Sequence, residues 1–124
     1  MRNLATAVAA KMPAWAYFDR APRDEPASYA VYTIDTLGIE DTGGLLHSAQ
    51  ITVDCYARDG ATSADSQLLD MAATLDAAFV RAHLVTTTGT SSLVVLAERQ
   101  TLRDPEDDAV SLHRSVYTTT WSTT

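Results

Sequence analysis

The chain has one cysteine, Cys55, so no internal disulfide can form and packing carries stability unaided. Cys55 falls on the apolar side of an alternating segment and reads as a small core side chain, not a nucleophile. Lysine is nearly absent as well. Lys11 stands alone, the arginines are scattered, and the net charge is −7 with a pI near 4.6. A phosphate-binding surface needs clustered cations, so nucleic-acid binding is excluded as a main function. Long apolar runs are missing: Leu4–Ala10 and Leu93–Ala97 fall far short of the roughly 20 residues that span a bilayer. Arg2 followed by LATAVAA faintly mimics a signal peptide, but the segment is short, alanine-rich and cut by Lys11. It reads as a mature N-terminal helix, with the cytosol as default compartment.

Site motifs are missing too. No GxGxxG or GxxxxGK[ST] supports nucleotide binding, and Ser48, Ser63 and Ser66 lack a G-x-S-x-G elbow. His47, His83 and His113 never fall at metal-ligand spacing from one another or from Cys55, and each reads as a strand-end or surface histidine. The run Asp104–Asp108 (DPEDD) lacks the turn glycine and distal glutamate of a calcium loop, so a solvated hairpin tip is the better reading. Asp24-Glu25 and Glu40-Asp41 are loop charges, not a positioned acid/base pair. No catalytic residue, metal or cofactor is expected.

What remains is a chain of ordinary globular make-up, 46% apolar and 20% charged. At 124 residues it is expected to form one domain over residues 1–124 and to bury about two-thirds of its unfolded surface. Its organising stretch runs from His47 to Arg81. Ala49, Ile51, Val53 and Cys55 alternate with Gln50, Thr52 and Asp54, which is the period of a strand with one buried face. Tyr56 and Ala57 then break the pattern, as a bulge or as the strand end. Past Gly60, Thr62 or Ser63 can cap a helix, with Asp65 and Ser66 three residues on. Ala64, Leu68, Met71, Ala72, Leu75, Ala78 and Phe79 form its apolar stripe, with Asp70 and Asp76 away from it.

Around this unit the order is legible. Residues 2–12 predict a short helix with Leu4, Ala5, Val8, Ala9 and Met12 on one face, stopped by Pro13. Ala14–Asp19 predicts a short strand, with Trp15 and Tyr17 on one side and Phe18 on the other; APRDEPAS predicts a loop. Tyr29–Asp35 is a β-branched and aromatic strand, joined by a loop with Gly43-Gly44 to the His47 strand as its antiparallel neighbour. VTTTGTSS reads as a flexible link. Leu93–Gln100 and Val110–Trp121 are the last two strands, around a turn-rich acidic tip. Strands in adjacent pairs flanking a helix imply an α+β fold of two layers, a mostly antiparallel sheet with two helices packed on one face.

Among Tyr29, Tyr32, Tyr56, Tyr117 and Trp121, strand alternation sends some rings to the face away from the helices. A wet aromatic sheet face of that kind is a subunit contact in waiting. It is the one feature that asks for a partner.

In order and flavour the chain resembles the tail terminator (tail-completion) proteins of long-tailed bacteriophages and gene transfer agents. The likeness covers nearly its whole length. It lies in the short N-terminal helix; in AYFDRAPRDEPASYAVYTI, with prolines just before a Tyr-rich strand; and in ITVDCYARD running into a long helix. It closes with a strand, the loop Arg103-Asp104-Pro105 and the strand LHRSVYTTTW. Two residues separate Pro26 from Tyr29, and DPEDDA stands where a glycine-containing turn is common; both departures touch loops.

The resemblance implies a non-enzymatic virion protein that assembles with itself into a ring, usually hexameric. The ring caps the head-proximal end of the tail tube, ends tube polymerisation and offers a docking surface to a head-tail connector or head-completion protein. Assembly in the host cytoplasm and no membrane association follow. An acidic ring would let DNA pass through its lumen without sticking, and open strand edges suit a heterologous, closing contact. Arg99, Arg103, Asp104 and Arg114 are the candidate contacts between subunits or with the tube, since arginine is enriched at interfaces. Another neck or tail-completion protein satisfies the same pattern. So would a small α+β enzyme or ligand-binding domain, but that needs convergent polar groups in a pocket, and the sequence offers none.

Overall fold

The computed structural model describes residues 4–21, 28–38, 46–58, 64–86, 89–90, 93–104 and 107–122. The elements run α1 (Leu4–Lys11), β1 (Ala16–Phe18), β2 (Ser28–Gly38), β3 (Leu46–Arg58), α2 (Ala64–Phe79), β4 (Val85–Thr86), β5 (Gly89–Thr90), β6 (Val95–Asp104) and β7 (Asp107–Ser122). Five strands form one sheet in the order β1-β2-β3-β7-β6, while β4 and β5 pair as a small separate ribbon. All neighbours in the large sheet are antiparallel except β1 and β2. This is the expected α+β architecture.

The sheet's centre is β3 against β7, in register from Leu46↔Ser122 to Arg58↔Val110. Alternation then decides which side chains meet the helices. Ala49, Ile51, Val53, Cys55 and Ala57 are buried on one side of β3, and their partners Thr119, Tyr117, Ser115, His113 and Ser111 are buried beside them on β7. Ala30, Tyr32 and Ile34 extend this face across β2. The alternation does not break at Tyr56. Ala57 is fully buried and pairs with Ser28, so β3 runs on to Arg58 where an ending or bulge was expected.

Both helices cover that face. Leu4 and Val8, one turn apart on α1, join the same buried cluster as Leu68, Met71, Leu75 and Phe79 of α2. Burying a side chain such as Leu75 stabilises the fold by roughly 1.5–3 kcal/mol. Pro13 follows α1, and its carbonyl accepts from the Ala16 N–H in the turn that leads into β1. Ala16 sits at the core's margin on that side, while Phe18 leans on Tyr32 at a ring separation of 5.3 Å.

The end of α2 is fixed by backbone. Arg81 takes φ 64°, the left-handed conformation that terminates helices. The Ala82 N–H donates to the Phe79 carbonyl; the Arg81 N–H donates to the Val94 carbonyl and the Val94 N–H to the Ala82 carbonyl, at 2.8 Å each. Leu84 and Val94, both fully buried, seal this corner.

Two further expectations change. The stretch read as a flexible link contains the β4–β5 ribbon. The last two strands reach further toward each other than expected, pairing Asp104 with Asp107, because β6 and β7 form one long hairpin. The first strand, whose partner the sequence left open, pairs in parallel with β2. The helix caps Thr62 and Ser63, Gly43-Gly44, Gly60, the prolines of APRDEPAS, Asp24-Glu25, Glu40-Asp41 and Pro105-Glu106 of the acidic run lie outside the described residues.

Candidate functional site

On the helix side, one polar network ties α2 to the sheet's edge. Asp76 accepts from Arg99 through both oxygens, Nη1 to Oδ2 at 3.0 Å and Nη2 to Oδ1 at 2.6 Å. The Tyr117 hydroxyl donates to the same Oδ1 at 2.6 Å, and Arg99 Nε donates to Ser115 Oγ at 3.0 Å. Burial pulls the Asp76 carboxyl up, but the hydrogen bonds from Arg99 and Tyr117 and the Arg99 charge outweigh it and hold it below the usual range. The Tyr117 phenol is pushed up, first by burial and then by its bond to Asp76, so it remains a donor. Sequence reasoning set Asp76 away from the apolar stripe. It in fact borders the stripe, where the fourth-residue spacing from Ala72 brings it over β7.

A bulge aims Arg99. Leu96 pairs with Tyr117 but Glu98 pairs with Val116, so Ala97 is an extra residue and Arg99 comes to lie opposite Ser115. In an unbroken ladder Arg99 would have the parity of the opposite face. Both Asp76 oxygens and the Arg99 guanidinium are engaged within this network, which makes it a brace between α2 and the sheet.

The opposite, outer face carries Arg114. It lies directly across from Asp54 and binds it in a fork, Nε to Oδ1 at 2.8 Å and Nη2 to Oδ2 at 3.1 Å. The hydrogen bonds to Asp54, then its charge, push the Arg114 pKa up. Glu98 stands near enough to add to that effect, and its carboxylate also accepts from the Gln100 amide. Arg99 and Arg114 therefore point to opposite sides of one sheet. Arg103 and Asp104 are farther along β6, in register with Ser111 and Asp107. The structure does not gather the four candidate residues into one patch.

The outer face is also less bare than expected. Tyr29, Tyr56, Leu112 and Leu102 form a row across four strands, with Tyr29 stacked on Tyr56 at 5.0 Å. Within it Tyr29 and Leu112 are buried, as is Val116 nearby, and Tyr56 is half-buried. Tyr32 and Tyr117 have the helix-side parity, and so does the Trp121 position. Leu102, at the end of the row, is exposed, and among the described residues the most exposed large apolar side chains are Val85 of β4, Leu69 of α2, Phe18 of β1 and Val95 of β6.

His113 corrects another expectation. It is buried on the helix side, opposite Cys55, because β7 carries it through the middle of the sheet. His47 is half-buried and His83 exposed. The Cys55 thiol is pushed up to about 12, mainly by burial and then by Asp54, so it is held as the unreactive thiol. Among the described residues no group of three His, Cys, Asp or Glu could hold a metal ion. An open groove of about 340 Å³ lies between α1 and β1, lined by Ala5, Thr6, Ala9, Phe18 and Tyr32. It has no ionisable side chain except the Tyr32 phenol, whose pKa burial raises.

No protein-family model matches the sequence, and no curated protein matches it. The fold does have a solved counterpart. A chain in the virion of a native gene transfer agent particle superposes with a TM-score of 0.66 at 18% identity, over 94% of this chain and 82% of that one. At that identity the likeness is one of fold.

Proposed function

We propose that this chain is a structural virion protein of a phage or gene transfer agent, and within that class a tail terminator. In this role it forms a homo-oligomeric ring, most simply a hexamer, at the head-proximal end of the tail tube. The ring stops tube polymerisation and gives the head-tail connector its docking surface. It catalyses nothing. The observation that carries this reading is the fold likeness to a gene transfer agent virion chain over 94% of the length. The segment order that resembles tail terminators supports it independently. The charge of −7 suits a lumen through which DNA slides without adhering. Arg99, Arg103, Asp104 and Arg114 stay as proposed contacts; Arg114 is the readiest, since its side chain is 44% exposed even while bound to Asp54.

Native mass spectrometry with negative-stain imaging, alone and with assembling tail tubes, tests the reading. Rings of roughly six copies, and tubes that stop at a capped end, are the expected result. Tubes of unchanged length with no bound ring overturn it. Rings that bind the connector but ignore the tube would move the chain to another position in the neck.

A further inference from the structure

The carboxylates are unevenly spread along the chain. Residues 1–18 and 77–97 contain none of the sixteen Asp and Glu, yet they hold Arg2, Lys11 and Arg81, three of the nine cations. With histidine neutral those segments carry +3, and the rest of the chain, with six cations and sixteen anions, carries −10. The fold brings the two acid-free segments together. Leu4 and Val8 of α1 share one buried cluster with Leu84 and Val94, and α1 packs on β4. Between them lies an open pocket of about 280 Å³, lined by Ala7, Ala10, Lys11, His83 and Val85. Val85 is 71% exposed, the most of any large apolar side chain described. A cation, an imidazole and a bare valine at one pocket suit an acidic partner that also brings apolar surface.

The chain carries the complement itself. Asp104–Asp108 has four carboxylates in five residues, the densest acidic run in the sequence, and stays at −3 when Arg103 is counted. Asp104 pairs with Asp107 where the β6–β7 hairpin closes. The other end of β6 starts next to Val94, which bonds to the Arg81–Ala82 corner, and the strand runs ten residues to Asp104. Acid-free pole and acidic hairpin end therefore stand about 30 Å apart and cannot meet within one chain. They meet when two copies are set head to tail, which is a heterologous contact. Two poles or two hairpin ends face to face repel, which disfavours a twofold dimer.

We infer that the hairpin end of one copy, at Asp104 and Asp107, docks on the Lys11–His83–Val85 pocket of a second copy. The inference rests on the ring reading and names the two surfaces that build the ring. Lys11→Glu with His83→Glu, and Asp104→Lys with Asp107→Lys, are each expected to lose assembly where the wild type assembles. Mixed in equal amounts the two proteins should assemble again in alternation, since each reversed surface then meets its complement. Far-UV circular dichroism checks that each variant is folded. Independently of those variants, Val85→Cys and Asp107→Cys proteins treated with a short bis-maleimide should cross-link when mixed and not alone. Rings that persist in either reversed variant overturn the contact and leave the ring reading standing. So does a mixture of folded variants that fails to assemble or to cross-link while wild-type rings form. Variants that keep their rings but no longer cap tail tubes give the pole to the tube protein and overturn the contact. Open chains that show the charge-swap rescue keep the contact and sink the ring. A wild type that never multimerises, even on tail tubes, removes both.

Discussion

Tyr117, on the central strand β7, donates its hydroxyl to Asp76 of α2 at 2.6 Å, and that bond bolts the helix layer to the sheet. Asp76→Ala strands the Tyr117 hydroxyl and the Arg99 fork together. After discounting for a carboxylate about one-third exposed, the expected loss is about 1–2 kcal/mol in urea unfolding. Asp76→Asn, which can still accept from Tyr117, should lose less.

The same carboxylate gives a pH signature. Burial raises the Asp76 pKa, yet Arg99 and Tyr117 bring it below its ordinary value. The folded state therefore binds fewer protons than the unfolded chain. The stabilisation is fully present above the unfolded carboxylate value of about 3.9 and fades as pH falls through the lower folded value. The stability gap between wild type and Asp76→Asn should be constant near neutrality and close in acid. A gap that widens below pH 4 would contradict this.

Deleting Ala97 tests the bulge. With the extra residue gone, Leu96 joins Glu98 directly, the ladder runs unbroken, and Arg99 keeps its place opposite Ser115. The deletion is expected to keep the Arg99–Asp76 fork and to cost less stability than Arg99→Ala, by about 1 kcal/mol. Equal losses would mean that Arg99 needs the local twist of the bulge, and not its register alone, to reach Asp76.

The Arg114–Asp54 fork on the outer face is solvent-accessible, so its expected worth is small. Arg114→Ala should cost about 0.5–1 kcal/mol at low salt and less at high salt. The double exchange Asp54→Arg with Arg114→Asp should recover most of the loss.

Cys55 should resist thiol reagents in the native protein and react once unfolded, since its thiol is buried and its pKa pushed up to about 12. Fast native labelling would show that β3 opens locally.

Much of the scaffold was legible because its signals are local. The apolar stripe of α2 and the alternation of β3 each lie within one continuous segment, and both helices stand on the face that those patterns select. What stayed hidden depends on residues brought together from afar. Asp76, Arg99 and Tyr117 come from three elements, and nothing near Asp76 in the chain announces its partners. A lone extra alanine leaves no turn signal, so Arg99 could not be given a face. His113 looked peripheral because three polar residues surround it, yet the strand it sits on is central. The β4–β5 ribbon, two residues a side, is below the length at which composition speaks.

The central position of β7 also sets the order in which this molecule can be made. The β2–β3 and β6–β7 pairs join segments close along the chain, and each can zip early. Joining Arg58 to Val110 closes a loop that contains all of α2, and that closure carries the larger entropic cost. Until it happens β3 has a bare flank and α2 has half a floor. The slow step of folding is therefore expected to be the docking of two preformed hairpins. The two halves of the sheet cannot be joined before β7 has left the synthesising ribosome.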